Sequence, residues 1–354
     1  MVMKIQTELK MNKIFKFMAL ASLAVVCSCQ KEATEVAADS DVQDVTFTVE
    51  LPGVLQTKAE NLGNGKTATK LYYAIYKGGS NEEGAQVVRV EPKNTPAQPL
   101  TLNDLKAEVT FQLVKNYKYD IVFWAQAEGA PYKFDQDKAT VTVTDAYTDA
   151  DANDETRDAF FAMVDDYVVT SEKKSVPLYR PFAQINFCSD DYKNVADLGL
   201  SMTSTIEVTE ASVPSVLNLL TGVADTPVAV KFNATTVPAA AGETVEVTLD
   251  DKGTKKTYDN VAMNYILAGS QSANITALKG TFNYNNDKVV VDVPNVPYRR
   301  NYRTNIFGSL FTDNAVFQIE IKPVPYDHVD LNIKYPVESE GSEDSEGEDN
   351  SETI

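Results

Sequence analysis

The 354-residue sequence has a single histidine, His328, and three cysteines, Cys27, Cys29 and Cys188. One histidine excludes multi-histidine zinc sites and most hydrolytic triads, which need an imidazole beside an accurately placed partner. His328 lies in Tyr326-Asp-His-Val-Asp, which reads as an ordinary turn entering a strand. No P-loop, Gly-x-Gly-x-x-Gly or Gly-x-Ser-x-Gly motif occurs, so phosphate-cradling loops and serine nucleophile elbows are missing too. Positive charge is scarce: 32 Lys and Arg stand against 51 Asp and Glu, for a net charge of −19. Such a body repels nucleic acid, whose phosphates need a basic surface, and does not adsorb to anionic lipid. The expectation is a protein without catalytic residues, cofactor, metal or nucleic-acid partner.

Long apolar runs are absent as well. The longest near the start, Phe17 to Val26, follows Lys13 and Lys16 and spans only about 15 Å as a helix, half a hydrocarbon core. A basic stretch, a short apolar stretch and small residues describe a secretory signal. Val26-Cys-Ser-Cys29-Gln resembles the lipobox of lipoprotein signals, so residues 1–28 are expected to be removed and Cys29 acylated. Cys27 fits worse, because bulky Val26 directly precedes it. Met11 is an alternative start. Cys188 is then the one cysteine in the folded part, which excludes an internal disulfide, and its alternating surroundings read as a small buried residue.

What remains is strand pattern. Residues 29–43 are polar and read as a tether. Val45, Phe47, Val49 and Leu51 then alternate with polar residues before Pro52-Gly53. Similar runs recur at 70–77, 86–90, 108–114, 117–125, 139–144 and 166–170, separated by Gly-, Asn- and Pro-containing turns. A short helix is expected over Arg157 to Met163. Pro177 and Pro181 flank a candidate junction, after which strands resume at 182–188 and continue to 329–335, with Ser215 to Leu220 as a brief helix or loop. Many short strands with few helices predict an all-β sandwich architecture, divided into domains at 44–178 and 179–336. Residues 337–354 hold eight acids and no base, a composition expected to stay disordered.

Two patterns invite a binding reading. Asp149-Ala-Asp151-Ala-Asn153-Asp154-Glu155 resembles the opening of a calcium loop, but its sixth position is Asp154 instead of Gly and its twelfth is Phe160 instead of Glu. A solvated acidic turn is the simpler reading. The aromatic stretches Leu71-Tyr-Tyr-Ala-Ile-Tyr76 and Ile121-Val-Phe-Trp124 suit either a carbohydrate platform or a core, and alternation assigns at least part of each to the core.

Several segments resemble the fimbrillin lipoproteins of Bacteroidota, the subunits of type V pili. They are Cys29-Gln-Lys-Glu, Val45 to Gly53 with Thr57-Lys-Ala59, Asn153 to Phe161, Val213 to Gly222, and Tyr298-Arg-Arg-Asn-Tyr-Arg-Thr-Asn-Ile-Phe-Gly-Ser-Leu310 before Phe317 to Lys322. The resemblance implies two tandem transthyretin-like sandwich domains, a cell-surface pilus subunit anchored in the outer membrane through acylated Cys29, and no enzymatic activity. It also implies assembly with other pilin subunits: a trypsin-like protease cuts after a basic residue, here Lys58, and removes the first strand (Val45, Phe47, Val49, Leu51). A strand of another subunit, here Val329, Leu331, Ile333 and Tyr335, then fills the gap. Lys58 departs from the more usual arginine, and the acidic tail follows the expected donor strand. A monomeric surface lipoprotein that binds glycan or a host ligand through its loops is the alternative.

Overall fold

The period-two alternation becomes backbone pairing almost throughout. The computed structural model describes residues 41–51, 65–237, 244–248, 253–311 and 317–323. Within them run β1 (Val42–Glu50), β2 (Lys70–Lys77), β3 (Arg89–Val90), β4 (Leu100–Thr101), β5 (Lys106–Val114), β6 (Lys118–Gln126) and β7 (Tyr132–Asp135). Next come β8 (Thr140–Val143), a 3-10 turn (Glu155–Arg157), β9 (Phe160–Val168), β10 (Lys174–Pro177), β11 (Phe182–Ser189) and helix α1 (Tyr192–Ala196). The chain continues through β12 (Met202–Asn218), β13 (Ala224–Lys231), β14 (Thr235–Thr236), β15 (Thr244–Thr248) and β16 (Lys255–Leu267). It ends in β17 (Ala273–Tyr284), β18 (Asp287–Tyr298), β19 (Tyr302–Gly308) and β20 (Phe317–Pro323).

Four sheets result: β10-β1-β5; β3-β2-β6-β9 with β4 on β2; β18-β17-β12-β8-β7 with β13 and β14 on β12; and β15-β16-β11-β19-β20. The first two enclose one core. Val45, Phe47 and Val49 with Val109, Phe111 and Leu113 meet Leu71, Tyr73, Ile75, Ile121, Phe123 and Val164. The other face of the β2-β6-β9 sheet is also buried. There Tyr76, Val122, Trp124, Phe161 and Met163 join a second core that runs on into the remaining sheets. Trp124 lies 5.5 Å from Tyr132 and 6.5 Å from Phe182, ring to ring. A sheet covered on both faces needs unbroken apolar strands, which is why Ile121-Val-Phe-Trp has no polar alternation. The aromatic clusters are therefore core on both faces.

Two local expectations fail. The helix expected at Arg157 to Met163 is a 3-10 turn followed by β9, because Phe160 and Ala162 serve one core while Phe161 and Met163 serve the other. The helix or loop expected at Ser215 to Leu220 is largely the end of the 17-residue β12, where Val213, Ser215 and Leu217 are buried alternately. Buried positions fall on even numbers up to Val208 and on odd numbers from Val213, and the β12–β13 register shifts between those two residues. That change of phase hides the strand from a fixed period-two reading.

The chain passes from the first sheet to the last through Leu178, Tyr179 and Arg180, all buried. Leu178 N donates to Glu50 O, and Tyr179 exchanges backbone bonds with Phe161. The β7–β8 hairpin, which precedes this crossing in sequence, pairs with β12: Thr142 faces Val216 and Thr140 faces Asn218. Cys188 is fully buried against Tyr258 and Phe307, as expected of a small core residue. No helix among the described residues is long and apolar enough to cross a membrane.

Candidate functional site

Strand β1 occupies an unusual position for the first described element of a chain. It is the middle strand of its sheet, antiparallel to β5 (Val42 opposite Val114 through Glu50 opposite Lys106) and parallel to β10 (Phe47 opposite Lys174 through Glu50 opposite Pro177). Its inward side chains Val45, Phe47, Val49 and the following Leu51 are at most 1% exposed. Phe47 is the hub, with ring distances of 5.6 Å to Phe111, 5.8 Å to Phe123 and 5.1 Å to Tyr167. On the outer face Thr46 meets Thr110, and the Glu50 carboxylate accepts from Lys106 Nζ at 2.8 Å.

The chain leaves β1 at Leu51 and is next described at Gly65. A Cβ at Gly65 would lie 3.3 Å from the Phe160 ring and 3.8 Å from Leu51 Cβ. Departure and return are thus neighbours, with Gly65 close against the Phe160 ring. If β1 were withdrawn, β5 and β10 would each lose a ladder of hydrogen bonds and an apolar slot would open between them, an arrangement stable only when another strand fills it. Of the residues singled out in the sequence, Val45, Phe47, Val49 and Leu51 fill this slot. Cys29, Lys58, His328, Val329, Leu331, Ile333 and Tyr335 lie outside the described residues.

A second feature gave no sequence signal. Asp120 on β6 and Asp165 and Asp166 on β9 bring carboxylate oxygens within 4.8 Å of one another. They converge because the β6–β9 ladder shifts between Tyr119 and Ile121 and Asp166 takes a left-handed φ of 46°. Burial pushes the Asp120 carboxyl above its ordinary pKa, with a lowering contribution from backbone donors and a raising one from its acidic neighbours. Asp120 accepts from Ser80 N (2.8 Å) and Asp166 N (3.0 Å), Asp165 accepts from Asn81 Nδ2 (2.9 Å), and Asp166 from Lys118 Nζ (2.6 Å). These bonds make the cluster a latch that pins the β2–β3 loop to the sheet. Gly78 completes it by donating to Lys118 O at 2.8 Å. A Cβ at Gly78 would come within 2.5 Å of Lys118 Cβ and 2.9 Å of its carbonyl carbon. Gly78→Ala is therefore expected to cost about 1–3 kcal/mol of stability in urea unfolding, as an overpacked site does.

In the acidic loop that resembled a calcium site Asp149 and Asp151 are exposed, while its second half bonds internally. Asp154 caps the 3-10 turn through Thr156 N, and Asn153 Nδ2 reaches Ser204 Oγ (2.9 Å) and Thr236 O (3.1 Å) while its Oδ1 accepts from Met263 N. Three arginines brace the same region. Arg180 donates to Asp158 through Nε (2.5 Å) and Nη2 (2.8 Å) and lies over the Phe160 ring. Arg157 pairs with Asp145 at 2.6 Å, and Arg300 donates to Gly222 O and covers Phe161. Burial alone would lower the Arg180 pKa, but the Asp158 carboxylate outweighs it and holds the guanidinium above its ordinary value.

Stacked antiparallel-rich sheets, with one central strand supplied by the first described segment, define an all-β sandwich protein whose distinctive site is a strand slot. The chain belongs to a family of unknown function, DUF6562, whose model matches residues 37–334. None of the curated proteins matches it. Among solved structures it is similar to a candidate cell adhesion protein from Bacteroides uniformis, at 12% identity over 82% of this chain and 100% of that one, TM-score 0.45. It is also similar to the C-terminally truncated tip fimbrial protein Mfa3 from Porphyromonas gingivalis, at 10% identity over 79% and 99% of the two chains, TM-score 0.40. A fimbrial assembly protein from Parabacteroides distasonis aligns at 9% identity over 79% and 98%, TM-score 0.40.

Proposed function

We propose that this protein is a structural subunit of a cell-surface pilus serving adhesion, exported as an outer-membrane lipoprotein through Cys29 and assembled by exchange of β1. The observation that carries the reading is the placement of β1 as a middle strand whose loss opens a slot between β5 and β10. The adjacency of Leu51 and Gly65 adds to it, because a cut at Lys58 would sever β1 from the body without pulling on either anchored end. Val329 to Tyr335, alternating Val, Leu, Ile and Tyr, has the pattern needed to replace Val45, Phe47, Val49 and Leu51. The work of the protein is assembly, not turnover. The two aromatic stretches first weighed as a glycan platform contribute Tyr73, Tyr76, Phe123 and Trp124 to the cores, so these four rings offer no such platform.

The test is the N-terminus of the protein recovered from cell surfaces. Processing is expected to expose Ala59, with multimers that survive mild detergent, and Lys58→Gln is expected to leave acylated monomers. Assembled fibres whose subunits retain an acylated Cys29 would refute strand exchange at this site.

A further inference from the structure

We propose that the outer edge of β18 is a self-complementary seam by which two copies of this chain pair side by side, antiparallel about a two-fold axis at Val290. Among the described residues β18 is the terminal strand of its sheet, paired with β17 on one side only. Natural edge strands are blunted by proline, bulges or charge, because an open row of backbone donors and acceptors recruits other strands. On β18 that protection covers only one half. Pro294, Asn295 at φ 53° and Pro297 interrupt the second half, where the ladder skips from Pro294 to Val296. From Asp287 to Val293 pairing with β17 is continuous, and four of the seven residues are valine.

The side chains on this open half define the partner. Lys288, Val290 and Asp292 share the exposed face, with Val290 43% exposed, while Val291 and Val293 point into the core. Strand faces alternate, so an antiparallel second copy centred on Val290 sets Lys288 opposite Asp292 of the other molecule at both ends of the seam. Val290 meets its own equivalent at the axis. The one lysine that would repel a passing strand is thus answered by an aspartate in the same strand of a second copy, an isologous match that no off-centre register reproduces. Across β17 the row continues, since Lys279 faces Asp292 and Thr281 faces Val290. The contact is one strand pair, so the association belongs with small, weak interfaces and gains strength when subunits are already aligned in an array. It needs neither cleavage at Lys58 nor the β1 slot.

The experiment is cysteine cross-linking of the full, uncleaved chain. Val290→Cys places two thiols face to face and is expected to give a disulfide-linked dimer. Asn274→Cys, exposed on β17 away from the edge, is the control. In the Val290→Cys background, Lys288→Asp or Asp292→Lys sets like charges opposite each other, and each is expected to lower dimer yield about 10-fold. Mixing the two charge variants restores opposite charges at both ends and is expected to recover the yield as a heterodimer. These positions are exposed, and circular dichroism of each variant checks the fold. A Val290→Cys yield no higher than the control's, or a yield insensitive to the charge changes, would overturn the proposal. So would preferential linking of Val290→Cys to the chain's own segment 329–335, tested with a second cysteine at Leu331.

Discussion

Asp158→Ala is expected to lower the stability of the full chain by about 3–5 kcal/mol, read as a reduced urea midpoint, because it removes the buried carboxylate that takes both Nε and Nη2 of Arg180. Arg180 and Asp158 are 2% and 0% exposed at their side chains, and the guanidinium lies over the Phe160 ring. Removing the carboxylate leaves a buried cation without its two-bond acceptor, whereas removing both charges does not. Asp158→Leu combined with Arg180→Met is accordingly expected to recover much of the loss, and the difference between single and double variants measures the cost of leaving Arg180 without Asp158. A single-variant cost below about 1 kcal/mol would show that water reaches Arg180, as at an exposed ion pair. The size of the effect matters because Arg180 sits where the chain crosses from the sheet of β1 to the sheet of β11. Arg157 and Arg300 brace the neighbouring strands in the same way, so the buried crossing is held by directional bonds as well as apolar contact.

Strand content was legible because most strands have one wet face. Val45 to Leu51 and Glu108 to Val114 show it plainly, and both are outer-layer strands with alternating burial. Legibility failed where that condition fails. β6 and β9 are covered on both sides, so Ile121 to Trp124 lost its alternation and Phe160 to Met163 resembled a helical run. β12 changes phase in its middle, a tertiary event with no local marker beyond the consecutive exposed residues 209–211. The apolar strand of the slot could be read from residues 45–51, but its place in the middle of a sheet could not. That place depends on β10, more than a hundred residues later in the chain. The Asp120–Asp165–Asp166 latch was invisible for a related reason: its members meet only because a bulge shifts one strand against another. Sequence reports which residues seek burial more directly than which partner each finds.

Deleting Val42 to Leu51 is the change with the largest expected effect. Burying Val, Phe, Val and Leu side chains contributes roughly 1.5–3 kcal/mol each, so the four inward residues supply roughly 6–12 kcal/mol, an upper figure since an unfolded chain already shields part of that surface. A typical domain has only about 5–15 kcal/mol of net stability, so the shortened chain is expected not to persist as a folded monomer. The loss is nevertheless addressable from outside, because β5 and β10 remain covalently in place on either side of the gap. A synthetic strand of residues 41–51 supplied in trans is expected to restore the β circular dichroism signal and a monomeric elution volume. The same peptide with Phe47→Asp should fail, since a carboxylate would enter the space between Phe111, Phe123 and Tyr167 without a partner. In the absence of peptide the shortened chains are expected to associate, each slot being the most favourable site for a strand from another molecule. A soluble, well-folded and monomeric deletion variant would mean that β10 and β5 close on each other directly. Withdrawal of β1 would then create no demand for a replacement strand.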